Sequence, residues 1–165
     1  LTSPVVAAPE AIGHLIRLLR DRFNHVVIDA PAGLPPLVRE ALDRVHQRVL
    51  VMAPDVANAR DLARYHALPN APAQTSSAVV VLNQAGRPGG LAQKQVEETL
   101  RLVPDVVVPY LPRLLPAAGN LGKPAVMRAG PFRSAIRLLA QEIAAVRPAE
   151  EAGRRSRRLF GLFRR

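Results

Sequence analysis

Chemistry in this chain is most plausible where short β-branched runs end. The run Val26-Val27-Ile28 closes on Asp29 and is followed by Ala30-Pro31-Ala32-Gly33. A carboxylate at the end of a buried strand can hold a hydrated magnesium ion against nucleotide phosphates, and the Gly33 N–H could approach a terminal phosphate. The same acid also suits a cap for the turn before the next helix. Three more runs close on Pro54, Asn83 and Pro109. Together with Asp29 these residues are the first to inspect, because open parallel sheets bind ligands beyond the carboxyl ends of their strands.

Other constellations fail on spacing. The four histidines, His14, His25, His46 and His66, fall on different elements with no acid at zinc-site spacing. No Gly-x-Ser-x-Gly occurs. Glu97 and Glu98 are neighbours on a predicted helix and point apart, and Asp55 is placed to cap the helix that follows it. Residues 117–124 contain Gly122-Lys123, but Ala117 stands at the first glycine of a phosphate loop and Pro124 replaces its hydroxyl residue. That stretch is expected to be a plain loop. The turn at residues 86–90 is expected to be a solvated connection.

The elements that must position these residues follow from periodicity. Apolar spacing predicts a helix over residues 9–23, with Ile12, Leu15, Ile16, Leu19 and Phe23 inward and Arg17, Arg20 and Asp21 outward. Residues 25–30 read as a buried strand. A helical pattern resumes through Leu37, Ala41 and Val45, and residues 49–53 form a second strand ending at Pro54. A helix over 55–68, a connector over 69–77, a strand over 78–82, a helix over 91–102 and a strand over 106–108 follow. A last helix over 131–146 is predicted to turn Ile136, Leu139, Ala140 and Ile143 inward. Four near-continuous apolar strands alternating with helices predict an α/β fold, a parallel sheet covered by helices on both faces.

Composition sets the outer bounds. The 165 residues are 48% hydrophobic and 4% aromatic, enough for one aliphatic core. The absence of cysteine rules out disulfides and thiolate chemistry. No apolar run approaches the roughly 20 residues that span a bilayer. Of the formal charge of +10, six arginines fall within residues 154–165, which hold no acid; without them the remainder carries +4. The basic asymmetry belongs to the tail, which gives little reason to expect a nucleic-acid groove. The opening at Leu1, with helical spacing almost at once, is what a carboxyl-terminal piece of a longer chain would show.

The segment Asp29-Ala30-Pro31-Ala32-Gly33 resembles the Walker B and switch II stretch of the MinD/ParA family of deviant P-loop ATPases. Val79-Val80-Val81-Leu82-Asn83-Gln84-Ala85-Gly86-Arg87-Pro88-Gly89-Gly90 and the stretch over 106–126, with Pro109-Tyr110 and Gly119-Asn120-Leu121-Gly122-Lys123-Pro124, resemble its later nucleotide-site segments. Within that family the chain is similar to the CpaE/TadZ type, associated with assembly and polar placement of Flp (Tad) pili. The family's amino-terminal phosphate loop has no counterpart in these residues.

The resemblance implies ATP and magnesium as ligands. It implies that Asp29 orients the metal through water and is the catalytic residue, that Gly33 senses the terminal phosphate, and that Asn83 reads the adenine edge with the Pro109 and Tyr110 backbone packing the base. An amide suits that edge because it both donates and accepts. The family commonly has an acid soon after this proline, whereas Tyr110, Leu111 and Pro112 follow here. Residues 1–146 are then the carboxyl-terminal part of a MinD/ParA-like nucleotide-binding domain, 147–153 a linker and 154–165 a basic amphipathic tail. The tail resembles the membrane-targeting end of MinD proteins, with Leu159, Phe160, Leu162 and Phe163 facing lipid and Arg157 and Arg158 facing its headgroups. The expected setting is cytoplasmic, peripheral to the inner face of the cell membrane. Expected partners are a second copy of the chain, pilus-assembly or polar-localisation proteins and anionic lipid, with nucleic acid ranked below them. Three other roles share the fold: a non-catalytic scaffold, a MinD-like division-site ATPase and a ParA-like partitioning ATPase.

Overall fold

The computed structural model describes residues 8–33, 35–74 and 76–145, so the linker and the basic tail lie outside the described residues. Chain order is α1 (Pro9–Arg22), α2 (Pro36–Leu42), β1 (Val49–Met52), α3 (Val56–His66), β2 (Val79–Ala85), α4 (Gln93–Leu100), β3 (Val106–Pro109), α5 (Leu114–Asn120), a 3-10 turn (Ala125–Met127) and α6 (Pro131–Ala145). The strands form a parallel sheet in the order β1-β2-β3. The expected α/β architecture is present, with both sheet faces covered.

Strand alternation divides the core in two. Met52, Val80 and Leu82 point to one face, where Ala59 and Leu62 of α3 and Val96 of α4 close over them. Val79, Val81, Val106 and Val108 point to the other, where Ala135 of α6 seals the layer with Phe132 and Leu139 beside it. Burying each such aliphatic side chain is worth roughly 1.5–3 kcal/mol, so these two layers dominate the stability of the sheet. The register of β3 is fixed partly by Asp105, whose carboxylate accepts from the Val80 N–H at 2.7 Å.

The start of β1 is pegged by polar contacts. The Arg48 side chain is buried and donates to the Leu68 carbonyl at 3.2 Å and to Asn70 Oδ1 at 2.7 Å. Burial lowers its pKa from the ordinary guanidinium value. Gln74 ties the same end of the sheet to α2 by donating to the Leu42 carbonyl at 2.7 Å. On the flank, α1 and α2 pack together. The Arg44 guanidinium crosses α1 against Gly13, and a larger residue there would make that flexible side chain shift.

Four expectations are corrected. Residues 25–30 form no strand; they are extended but unladdered, and Val27 is 94% exposed. Among the described residues β1 pairs only with β2, so no neighbouring strand is present to receive this segment. Residues 117–120 are helical rather than looped, because Pro116 falls in the first turn of α5, where a missing N–H costs nothing. The inward face of α6 is Phe132, Ala135 and Leu139; Ala140 and Ile143 are exposed, since the helix covers the sheet only with its first half. On α1, likewise, Leu15 and Phe23 are exposed while Ile16 is buried. Among the described residues no helix is long and apolar enough to cross a membrane.

Candidate functional site

The carboxyl ends of the three strands converge through their loops. Asp55 follows β1 and caps α3: its carboxylate accepts from the Asn58 main-chain N–H at 2.9 Å and from the Asn58 side-chain amide at 3.0 Å. These bonds, the main-chain one first, hold the Asp55 carboxyl below its ordinary pKa against an opposing effect of burial, with a smaller favourable contribution from Arg87. Arg87, in the turn after β2, approaches Asp55 at 3.7 Å and donates to Gln84 Oε1 at 3.1 Å. The turn closes where Leu91 N–H donates to the Pro54 carbonyl at 2.7 Å.

Strand β2 is irregular where it ends. Its register against β3 shifts between Leu82 and Ala85, and Gln84 has φ 58°, the left-handed region. A side chain there is strained, and such positions persist only where the surroundings hold them. Here the hold is visible: the Gln84 N–H donates to Asn83 Oδ1 at 2.9 Å, and Tyr110 N–H donates to the Ala85 carbonyl at 2.8 Å. Asn83, Pro109 and Tyr110 are thus brought to adjacent strand ends, with Ala85 opposite Pro109. All three are half-buried. In this arrangement the Asn83 side-chain oxygen Oδ1 is engaged by the neighbouring main-chain N–H of Gln84.

Asp29 and Gly33 take a separate path. Asp29 is exposed on the unladdered segment. Gly33 has φ 113°, and a Cβ there would meet only Pro35 Cδ at an ordinary 3.6 Å, so glycine is favoured by the backbone conformation rather than by crowding. Its N–H donates to the Tyr65 hydroxyl at 2.5 Å, which places it on the flank of α3. Tyr65 stands nine residues after the start of that helix, about 14 Å along its axis at 1.5 Å per residue. The structure therefore brings the Asn83–Pro109–Tyr110 corner together and leaves the Asp29–Gly33 turn apart from it.

The metal expectation can be tested against these donors. Among the described residues no three His, Cys, Asp or Glu side chains gather into a cation cage. A single exposed carboxylate fits an outer contact to a hydrated magnesium ion already carried by phosphates, which is how magnesium is commonly held. The Gly122-Lys123 pair does not offer a phosphate cradle: Gly122 N–H donates to the Gly119 carbonyl at 3.0 Å and Lys123 N–H to the Ala118 carbonyl at 3.1 Å. Both donors are consumed in ending α5.

Sequence reasoning missed Gln84, Arg87 and Tyr65. Gln84 and Arg87 border the glycine-rich turn singled out above, and their adjacency to Asn83 was the available signal. Nothing in the sequence pairs Tyr65 with Gly33.

No family model matches the chain. It is 28% identical over 123 residues to the septum site-determining protein MinD of Synechocystis, covering 72% of this chain and 46% of that protein. It is 32% identical over 57 residues to the Bacillus subtilis MinD, covering 34% of this chain and 21% of that one. The chain therefore spans less than half the length of the curated relatives it matches. Among solved structures it is similar to the cell division ATPase MinD of Pyrococcus furiosus, with a TM-score of 0.66 and 24% identity over 86% of this chain and 60% of that one. MinD of Pyrococcus horikoshii, solved with Mg-ADP, gives a TM-score of 0.64 and 21% identity over 83% and 57%. A ParA family ATPase from Chlorobium tepidum gives 0.66 and 14% over 82% and 60%. The described residues have the fold of MinD/ParA ATPases.

Proposed function

We propose that the chain supplies the base-binding corner and the switch turn of a MinD/ParA-like ATPase that positions or assembles Flp (Tad) pili through nucleotide-dependent dimerisation. The observation that carries the reading is the corner itself: Asn83, Pro109 and Tyr110 held at neighbouring strand ends by the Ala85 and Gln84 backbone contacts. The fold it shares with a MinD solved with Mg-ADP supports the ligand, ATP with magnesium. The pilus assignment rests on the CpaE/TadZ resemblance of the segments quoted above.

In this proposal residues 1–146 belong to one nucleotide-binding domain, 147–153 link it to the tail, and the lysines of the phosphate loop come from sequence preceding Leu1. The bare edge of β1 and the exposed Val27 support such completion, since both are apolar and without a ladder partner among the described residues. Asn83 orients the base with its side-chain N–H donors. Releasing its carbonyl from the Gln84 N–H would let it accept as well. Magnesium supplies charge neutralisation of the phosphate oxygens, and Asp29 fixes its water shell from the exposed end of residues 25–29. The proposed cellular setting is cytoplasmic, with a homodimer on an anionic membrane surface and pilus-assembly or polar-localisation proteins as partners.

A non-catalytic scaffold is the second reading, favoured by the Asn83 oxygen being engaged by the Gln84 N–H and by Tyr110-Leu111-Pro112 standing where the family commonly has an acid. Calorimetric titration of the natural full-length protein with ATP and magnesium separates the two. The ATPase reading expects magnesium-dependent binding that Asn83→Ala weakens about tenfold, the loss of one to two hydrogen bonds at about 1 kcal/mol each. Equal heats from both proteins would remove Asn83 from the base site, and no heat from either would favour the scaffold.

A further inference from the structure

Strand β2 is paired on both sides, to β1 and to β3, so the geometry at its end is set by residues that flank it within the sheet. From Leu82 to Ala85 it takes three steps while β3 takes two, from Val107 to Pro109, so one residue of β2 is extra. Such a bulge re-aims a side chain or ends the pairing. It contains Gln84, whose φ of 58° is one that an L side chain resists. Three bonds hold Gln84 there: its N–H donates to Asn83 Oδ1 at 2.9 Å, its carbonyl accepts from the Arg87 N–H at 3.1 Å, and its Oε1 accepts from Arg87 Nη1 at 3.1 Å. Glycine would take this φ without strain. What the glutamine side chain adds is the tie to Arg87.

We propose that Gln84 is a positioning residue that decides which way round the Asn83 amide is held, and through it the choice between purine bases. This rests on the reading of Asn83 as the residue that meets the base. The oxygen and nitrogen of an amide lie on opposite sides of its Cγ, so an Oδ1 held by the Gln84 N–H leaves Nδ2 as the end for a ligand, and none of the described residues accepts from it. The guanine edge offers two acceptors, N7 and O6, whereas the adenine edge offers the N7 acceptor beside an N6 donor. Held as a donor, Asn83 finds two acceptors on guanine and one on adenine. The site therefore takes both purine nucleotides, and only an amide released from Gln84 gains the acceptor that pairs with the adenine donor.

The test is calorimetric titration of the natural full-length protein with ATP and with GTP, each with magnesium, read as the ratio of the two affinities. Gln84→Gly accepts the positive φ but removes the tie to Arg87, so the bulge can let go of the Asn83 oxygen. Gln84→Glu keeps the tie and strengthens it by charge. The wild type is expected to bind the two nucleotides within about tenfold of each other. Gln84→Gly should shift the ratio toward ATP by about 2- to 10-fold, the size of one ordinary hydrogen bond, and Gln84→Glu should hold the wild-type ratio. With Asn83→Ala in place, Gln84→Gly should shift nothing. A wild type that prefers ATP by more than about tenfold, the same ratio in wild type and Gln84→Gly, or a ratio shifted alike in both Gln84 variants would overturn the positioning role while leaving the nucleotide reading standing. A shift that persists beside Asn83→Ala would mean that Gln84 does not act through Asn83, which also overturns it. No binding of either nucleotide by the wild type would overturn the nucleotide reading and this proposal with it.

Discussion

Removing the Asp55 carboxylate tests how the strand ends are held. Asp55 is the N-cap of α3, with φ −140° and ψ 162°, and both of its oxygens are engaged by Asn58. Asp55→Ala strips the cap, which costs about 0.5–2 kcal/mol at such positions. The Arg87 pair adds little, because both side chains are 36% exposed and the separation is 3.7 Å. For a chain of this size each kcal/mol moves the melting temperature by about 2–4 °C, so a fall of about 1–8 °C is expected at neutral pH. Asp55→Asn keeps the acceptor and should recover most of it. Because the folded carboxyl lies below its ordinary pKa, its contribution is complete above the usual carboxylate range and is lost as pH falls through the folded value. Thermal unfolding followed by circular dichroism at pH 7 and pH 3 reads both effects. The wild-type advantage over Asp55→Asn should shrink at pH 3. If Asp55→Ala melts with the wild type at pH 7, the cap does not stabilise α3 and the reasoning fails.

Gly90→Ala should destabilise by about 1–3 kcal/mol in chemical denaturation, because its Cβ would sit 2.9 Å from Pro54 Cγ and 3.1 Å from two backbone oxygens. A wild-type midpoint would show that the turn moves aside freely. Asp29→Ala should leave the circular dichroism melt unchanged, as the side chain is exposed, while lowering magnesium-dependent nucleotide turnover of the full-length protein; wild-type turnover would return Asp29 to a turn cap. For the tail, Phe160→Glu/Phe163→Glu should lose co-sedimentation with anionic vesicles that the wild type retains, since four large apolar residues lie among six arginines. Equal pelleting of the two would mean that charge alone binds.

What could be read from the sequence was local. The valine runs of β1, β2 and β3 and the cap at Asp55 are short-range signals, and the structure has each within a few residues of its expected bounds. The run at Val26, Val27 and Ile28 carries the same β-branched signal without the outcome, because a strand exists only when another chain segment supplies its ladder. Periodicity also overstates burial where a helix outruns what it covers, as at Ile143 of α6. In the candidate site the strand-end residues Asn83 and Pro109 were legible, being tied to strand termini. The Gly33–Tyr65 bond was not, since no local pattern records a contact made across a sequence separation of 32.

Among the described residues β1 is paired on one side only, and this has a consequence wherever that edge is left uncovered. Its outer rim offers main-chain donors and acceptors beside Val51, which is 59% exposed on a strand of only four residues. Such a rim is a template for intermolecular β-pairing unless something caps it. Lysine or proline would blunt it, but Val49, Leu50, Val51 and Met52 include neither. Where no further strand covers this rim, charge repulsion is left to keep copies apart: the +10 net charge does so at low ionic strength, and salt, by screening it, exposes the rim to its own kind.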